Sequence, residues 1–334
     1  MADKRPASAE EKSILAGLWL LSRLPLSVAT RLGGAVAWLL TWLPLRMTSA
    51  YRVSLVNIML CYPELTYQQA ARRARQALTE TGRTLSEFAH VWVRPPEQSL
   101  ARITSVRGLD ALREAYASDR PVLLLTLHQS SWELPNLLLG PEGPMQVFYQ
   151  KGKSQALTDI VTRARESTGS TLVTADARGI KAAVSAMSRG EAVAILSDHT
   201  PKGRNNPIVP LFGYPVRTSN LPHKLIKRYQ PHIFFVGCHR KTGPHDIEVY
   251  IDPAPADCYS EDETTCLAAI NSALATLISR YPTQYHWVYK RLRYMASGKQ
   301  TIYQKGVVPY LKQARREGRG LRLTDLPQQA PPDQ

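Results

Sequence analysis

Four short β-rich runs constrain this chain more than any other feature: VLLLTL at 122–127, MQVFY at 145–149, AVAIL at 192–196 and IFFVGC at 233–238. A strand with one solvated face alternates apolar and polar residues, whereas a continuous apolar run suits a strand covered on both faces, the habit of parallel sheets. Helical stretches separate the runs. The pattern therefore predicts an α/β fold with a central, mostly parallel sheet flanked by helices. DIEVYID at 246–252 alternates and reads as an antiparallel edge.

Ahead of these strands, Thr66 to about Val91 has the spacing of one long helix. Ala70, Ala74, Ala77, Leu78, Leu85 and Phe88 recur on one side, with Arg72, Arg73, Arg75 and Arg83 elsewhere, and Pro95 and Pro96 end it. Residues 13–46 are rich in Leu, Ala and Trp, but Arg23 and Pro25 split them, and Leu32 to Leu45 falls short of the ~20 apolar residues that a span needs. Two helices lying in a membrane interface fit better, with Trp19, Trp38 and Trp42 at headgroup depth and Arg31, Arg46 and Arg52 meeting anionic lipid. A single tilted span and a pair of soluble core helices remain as alternatives. A cleaved leader is disfavoured, because Glu10 and Glu11 precede the apolar stretch and Arg23 interrupts it. The implied organisation is membrane-attachment helices over 1–50 and a catalytic domain over 51–298, with linking helices at 51–97 and an α/β core at 98–298. A polar tail at 299–334 ends in LPQQAPPDQ.

The charge balance narrows the partners. Forty-two Lys and Arg against twenty-seven Asp and Glu give a net charge of +15, which favours acidic phospholipid, nucleic acid or an acidic carrier protein. Nucleic acid is the poorest fit, since the arginines are dispersed and no recognised motif interleaves them with aromatics. The four cysteines, Cys61, Cys238, Cys258 and Cys266, form no CxxC pair, in keeping with a reduced, cytosol-facing compartment. No HExxH and no Gly-rich phosphate loop occur, so neither a metal nor a bound organic cofactor is implied.

The chemistry gathers at HQSSWE, 128–133, directly after VLLLTL. His128 then stands at the C-terminal end of a buried strand, where open α/β sheets place their sites. Glu133 follows in the first turn of a helix, near enough on that spacing to hold one imidazole nitrogen while the other faces a substrate hydroxyl. That describes a general base with an orienting carboxylate. Alone, a His near a helix start is more often a cap or a core group.

Five blocks in order alter that weighting: RVSLVNIMLCYPELT, HQSSWEL, RGIKAAVSAMSRGEAVAILSDH, VPLFGYPVRTS and YPTQYHWVYKRLR. From about Arg52 to Arg293 the chain resembles the late acyltransferases of lipid A biosynthesis, within the lysophospholipid acyltransferase superfamily. The resemblance implies a His-x4-acid dyad of His128 as base and Glu133 as partner. It also implies a basic group holding the reaction's negative charge, either Arg163 or Arg165 in TRARESTG, with no choice between them. Asp198 corresponds to an acid of the family that binds substrate or pairs with an Arg. Arg178 stands at the start of a supporting helix, as a lesser substrate-binding candidate, and Trp132 and Phe212 are candidates for the acyl channel. Lys290, Arg291 and Arg293 are candidates for meeting phosphate or carrier protein.

The implied reaction moves a fatty acyl group from a thioester, on acyl carrier protein or coenzyme A, to a hydroxyl of a lipid at the cytoplasmic face of a bacterial inner membrane. The thioester is a substrate rather than a cofactor. A lipid A precursor is the leading acceptor; a glycerolipid, ornithine lipid or other glycolipid is the alternative, as is an inactive lipid-binding protein. Gln129 and Ser130 depart from the bulky apolar residue and Gly that many relatives carry, which touches acceptor identity more than reaction type.

Overall fold

The computed structural model describes residues 9–45, 47–150, 152, 154–201, 205–295, 298–299, 302–322 and 325. Arg46, the Arg293 side chain and the closing LPQQAPPDQ, all named above, lie outside the described residues. The chain begins with helices α1 (Ala9–Arg23), α2 (Leu26–Leu40), α3 (Ser49–Cys61), α4 (Tyr67–Val93) and α5 (Pro96–Leu100). Strands and helices then alternate: β1 (Ile103–Arg107), α6 (Leu109–Tyr116), β2 (Val122–Thr126), α7 (Leu134–Leu139), β3 (Met145–Tyr149), α8 (Gln155–Glu166), β4 (Thr171–Thr174), α9 (Ala177–Ser188) and β5 (Ala192–Leu196). After the hairpin β6 (Ile208–Leu211) and β7 (Tyr214–Arg217) come α10 (Leu221–Tyr229), β8 (His232–Arg240), β9 (Ile247–Pro253) and α11 (Glu263–Arg280). Short strands β10 (Tyr294–Met295) and β11 (Gly298–Lys299) and helix α12 (Val308–Glu317) complete the order.

Seven strands form the central sheet in the order β1-β9-β8-β2-β5-β3-β4, parallel at every junction except β8 with β9. The continuous apolar runs are explained by their two faces. Leu123, Leu125, Val193, Ile195, Ile233 and Phe235 enter one core with α3, α4, α9 and α11, while Leu124, Ala194, Phe234 and Val236 enter a second core with α6 and α7. DIEVYID does pair antiparallel, with β8, but it is not an edge: β1 adds outside it in parallel. The outer strand ITSVR is polar and incompletely buried, so it carries too little hydrophobic signal to announce itself. Strands β6, β7, β10 and β11 make a separate antiparallel sheet. Its hairpin turns on Phe212 and Gly213, both left-handed, as a two-residue loop with the twist of its strands requires.

Helix α4 begins with a capping box on Thr66 and Gln69 and carries α2 across it. Gly33 and Gly82 allow that crossing, since a methyl group on either would run into the other's carbonyl oxygen. The small face of α2 is thus spent on α4. Its large residues point outward: Val28, Leu32, Val36, Trp38 and Leu39 are exposed, as are Trp19 and Leu20 on α1 and Trp42 beyond α2. No helix among the described residues is long and apolar enough to cross a membrane.

Two expectations change here. Arg52 does not face outward but is buried, donating to the carbonyls of Leu45 and Tyr303. The segment expected as a tail from 299 is folded in part, because Val308, Leu311 and Ala314 of α12 lie at helical spacing and join the core beside α4. The surrounding KQARREGRG dilutes that apolar stripe below what composition reveals. All four cysteines are buried free thiols.

Candidate active site

Strand register builds the centre. Thr126 at the end of β2 pairs with Leu196 at the end of the adjacent parallel strand β5, so the residues two positions further on, His128 and Asp198, emerge side by side at the C-terminal edge. Asp198 uses both oxygens on His128: Oδ1 lies 2.8 Å from the ring Nδ1, and Oδ2 accepts the backbone N–H at 2.9 Å. Bonding through Nδ1 leaves Nε2 with no partner among the described residues, and the side chain is 29% exposed. Asp198 is itself only 2% exposed.

The electrostatics follow from that pairing. Burial alone would lower the His128 pKa, but the Asp198 charge and hydrogen bond, with help from Glu133, outweigh it and raise the pKa. Burial would raise Asp198, yet the His128 charge and two hydrogen bonds hold it well below the usual carboxylate range. The carboxylate bonded to the imidazole is therefore not the one expected from spacing. Glu133 turns away from the imidazole to Arg165 of α8, which donates in a fork at 2.8 and 2.5 Å. The pair is largely buried, with 3% of Glu133 and 19% of Arg165 exposed. Arg165 stays firmly charged: burial would lower its pKa, but Glu133 raises it.

This geometry separates Arg165 from Arg163, which is exposed on the same helix. Trp132 stands over the centre, its ring 5.1 Å from His128, and it also lines an apolar pocket between α7 and the sheet. Leu124, Leu139, Met145, Val147 and Ala194 form the pocket's interior, with Glu133 and Arg165 on its wall. Phe212 is elsewhere, packed on Tyr62 and Trp287 at 5.6 and 6.1 Å. Arg178 is exposed in the first turn of α9, its backbone N–H bound by the N-cap Asp176. Arg291 is buried and donates to the Arg217 carbonyl and Thr218, so it is not a surface charge.

Two further groups join the centre without having been singled out. His286 donates its backbone N–H to the His128 carbonyl at 2.9 Å, and its ring lies 5.3 Å from Trp132. Burial, with the His128 charge beside it, lowers its pKa to about 4, leaving it neutral near pH 7. Only the chain's return alongside 128–130, through Ser130 to Gln284 and a bridge from Gln129 to Tyr285, brings it there. The second group is Glu87 of α4, fully buried, which accepts from the Ser131 hydroxyl and pairs with Arg102 at 2.6 Å and Arg240 at 2.9 Å. The helical spacing does not flag it: Glu87 lies off the side that carries Ala70, Ala74, Ala77, Leu78, Leu85 and Phe88, and it is buried because α4 packs on more than one side there. A buried acid there requires cationic partners.

Residues 12–294 match the bacterial lipid A biosynthesis acyltransferase family. The chain is 25% identical over 287 residues to the lipid A biosynthesis palmitoleoyltransferase of Escherichia coli K12, covering 86% of this chain and 92% of the relative. It is 25% identical over 289 residues to the lipid A biosynthesis lauroyltransferase of the same organism, with the same coverage of 86% and 92%. The corresponding myristoyltransferase is 20% identical over 259 residues, covering 77% of this chain and 79% of the relative.

Proposed function

The chain belongs to the bacterial lipid A biosynthesis acyltransferases and is an acyltransferase, and on that premise we propose that it acylates a hydroxyl of a lipid A precursor, drawing on an acyl thioester and using His128 as general base. The observation that carries the assignment of the base is the bond from His128 Nδ1 to Asp198, which fixes the tautomer with Nε2 free to accept a proton. The acceptor oxygen loses its proton to Nε2 as it forms a bond to the thioester carbonyl carbon. The C–S bond then breaks, and the departing thiolate takes the proton back from the imidazolium. No serine or cysteine carries the acyl group. Trapping an acyl-serine or acyl-cysteine would overturn this direct transfer.

Glu133 and Arg165 act in this reading as a positioning pair, holding the start of α7 against α8 beside the base. Their charges push the His128 pKa in opposite directions, which limits their net effect on it. The apolar pocket beside Trp132 suits the acyl chain. Acyl carrier protein is the donor favoured by the net charge of +15, with acyl-CoA the alternative. The outward apolar faces of α1 and α2 support attachment to the cytoplasmic surface of the inner membrane.

The test compares cells carrying the wild type with cells carrying His128→Ala. Membrane lipid mass spectra lose one acyl chain from one lipid class in the variant, while the protein stays folded and in the membrane fraction. An unchanged spectrum sinks the reading.

A further inference from the structure

We propose that a polar pocket between α2, α4 and the turn joining β8 to β9 binds the phosphate of a phospholipid headgroup, an inference that rests on the membrane attachment proposed above. The pocket shares no lining residue with the apolar pocket beside Trp132. Its walls carry four cations, Arg31, Arg83, Arg240 and Lys241, against two carboxylates, Glu80 and Glu87.

Both carboxylates are already engaged. Glu80 receives Arg83 at 2.6 Å and Arg240 at 2.9 Å, and Glu87 receives Arg240 at 2.9 Å and Arg102 at 2.6 Å. Lys241 is held by Asp246 at 3.1 Å. Adding Arg102 and Asp246, which stand just outside the wall, leaves the excess of two positive charges unchanged. Arg31 has no partner among the described residues and is exposed. A second observation has the same sign: α2 begins at Pro25 without a side-chain cap and without an acid in its first turn, and Ser27 of that turn lies on the wall. An uncapped helix start next to an unpaired guanidinium favours an anion with several acceptor oxygens.

The surroundings favour a lipid as the source of that phosphate. Arg31 sits between Val28 and Leu32 on the exposed face of α2, and Val36 and Leu39 continue the same row. A phosphate in the pocket leaves its hydrocarbon tails along this apolar row. A soluble phosphate would use the charges and leave the row uncovered.

The experiment uses the full chain and vesicles of phosphatidylcholine with or without phosphatidylglycerol. Wild-type protein binds both, through the apolar face, and prefers the anionic vesicles. Arg31→Glu cuts that preference roughly thirtyfold and Arg31→Gln roughly fivefold, at about 1 kcal/mol per charge near the surface. Neither substitution disturbs a bond within the protein. Lys227→Glu, the same charge change on exposed Lys227 of α10, moves the preference less than about threefold if the pocket is the site. Equal effects at 31 and 227 mean diffuse attraction and overturn the proposal. So does calorimetric binding of inorganic phosphate that Arg31→Glu abolishes without changing vesicle preference, since that assigns the pocket to a soluble ligand. A wild type that binds neither vesicle overturns the membrane attachment and this inference with it. A wild type that binds both equally overturns only this inference.

Discussion

Replacing Asp198 by Asn tests the centre most sharply, because the carboxylate accepts from His128 at two places and an amide has only one accepting oxygen. If that oxygen keeps the Nδ1–H bond of 2.8 Å, the new NH2 group faces the His128 backbone N–H, donor against donor. If the amide turns over, its NH2 group donates to Nδ1, and the ring proton moves to Nε2, the nitrogen that has to accept. The first arrangement forfeits a charge-assisted bond worth about 1.5–3 kcal/mol at a nearly fully buried position. The second leaves the proposed base unable to accept a proton at Nε2. Where a histidine loses an orienting carboxylate in this manner, the turnover loss is about 10^4-fold, or ~5.5 kcal/mol of barrier. Asp198→Asn should therefore lower kcat by about 10^3 to 10^4, with KM changing less than about threefold, since no substrate-binding surface is altered.

The pH profile supplies the sign. In the wild type the His128 pKa is raised, so the neutral base is lost on acidification through a value above the ordinary ~6.5. In the variant the carboxylate charge is gone while burial remains, and the acid limb of kcat/KM moves to lower pH. Stability changes in parallel. A carboxylate held below its usual range stabilises the fold above its unfolded pKa of ~4 and loses that contribution as pH falls through the folded value. The variant should therefore have a shallower loss of stability on acidification. The assay is steady-state transfer from acyl carrier protein across pH, with denaturant unfolding of the same samples. Activity within about tenfold of wild type, with an unshifted acid limb, refutes the reasoning and returns the orienting role to Glu133.

The Glu133–Arg165 pair predicts a cycle: Glu133→Ala leaves a mostly buried guanidinium unpaired and costs about 3–5 kcal/mol, whereas the double change with Arg165→Ala costs less than the sum of the single changes, measured by urea unfolding. Ser130, buried at φ 52 with a hydroxyl that has no partner, predicts that Ser130→Gly raises stability by about 1 kcal/mol, read as a higher denaturant midpoint with unchanged slope.

The sheet was legible because its strands are covered on both faces and so write themselves as apolar runs. β1 was not, because ITSVR is polar and gains its place only by lying alongside β9. At the site, the position of His128 after a buried strand was readable. Its partner was not, since Glu133 lies five residues away in the chain and Asp198 seventy, and only the parallel register of β2 with β5 makes the distant acid the nearer one. Sequence spacing measures local reach, whereas a parallel sheet brings together strand ends that the chain separates by a whole crossover. The choice between Arg163 and Arg165 was open for a related reason: two residues apart on a helix, they point to different sides, and which side faces α7 depends on packing.

The Glu87 network links these levels. α4 holds α2 through the Gly33–Gly82 crossing, and five residues further along, Glu87 receives the hydroxyl of Ser131, inside the loop that carries His128. Arg102 and Arg240 clamp the same carboxylate from the start of β1 and the end of β8. The loop bearing His128 is thus fixed to α4, the helix against which α2 packs. An enzyme that acylates a lipid without extracting it fully must hold its base at a set height above the bilayer. A buried ion network is costly to desolvate and weak as a source of net stability, but it tolerates little displacement of its members. In this fold that stiffness helps to set the distance from the proposed membrane surface to Nε2 of His128.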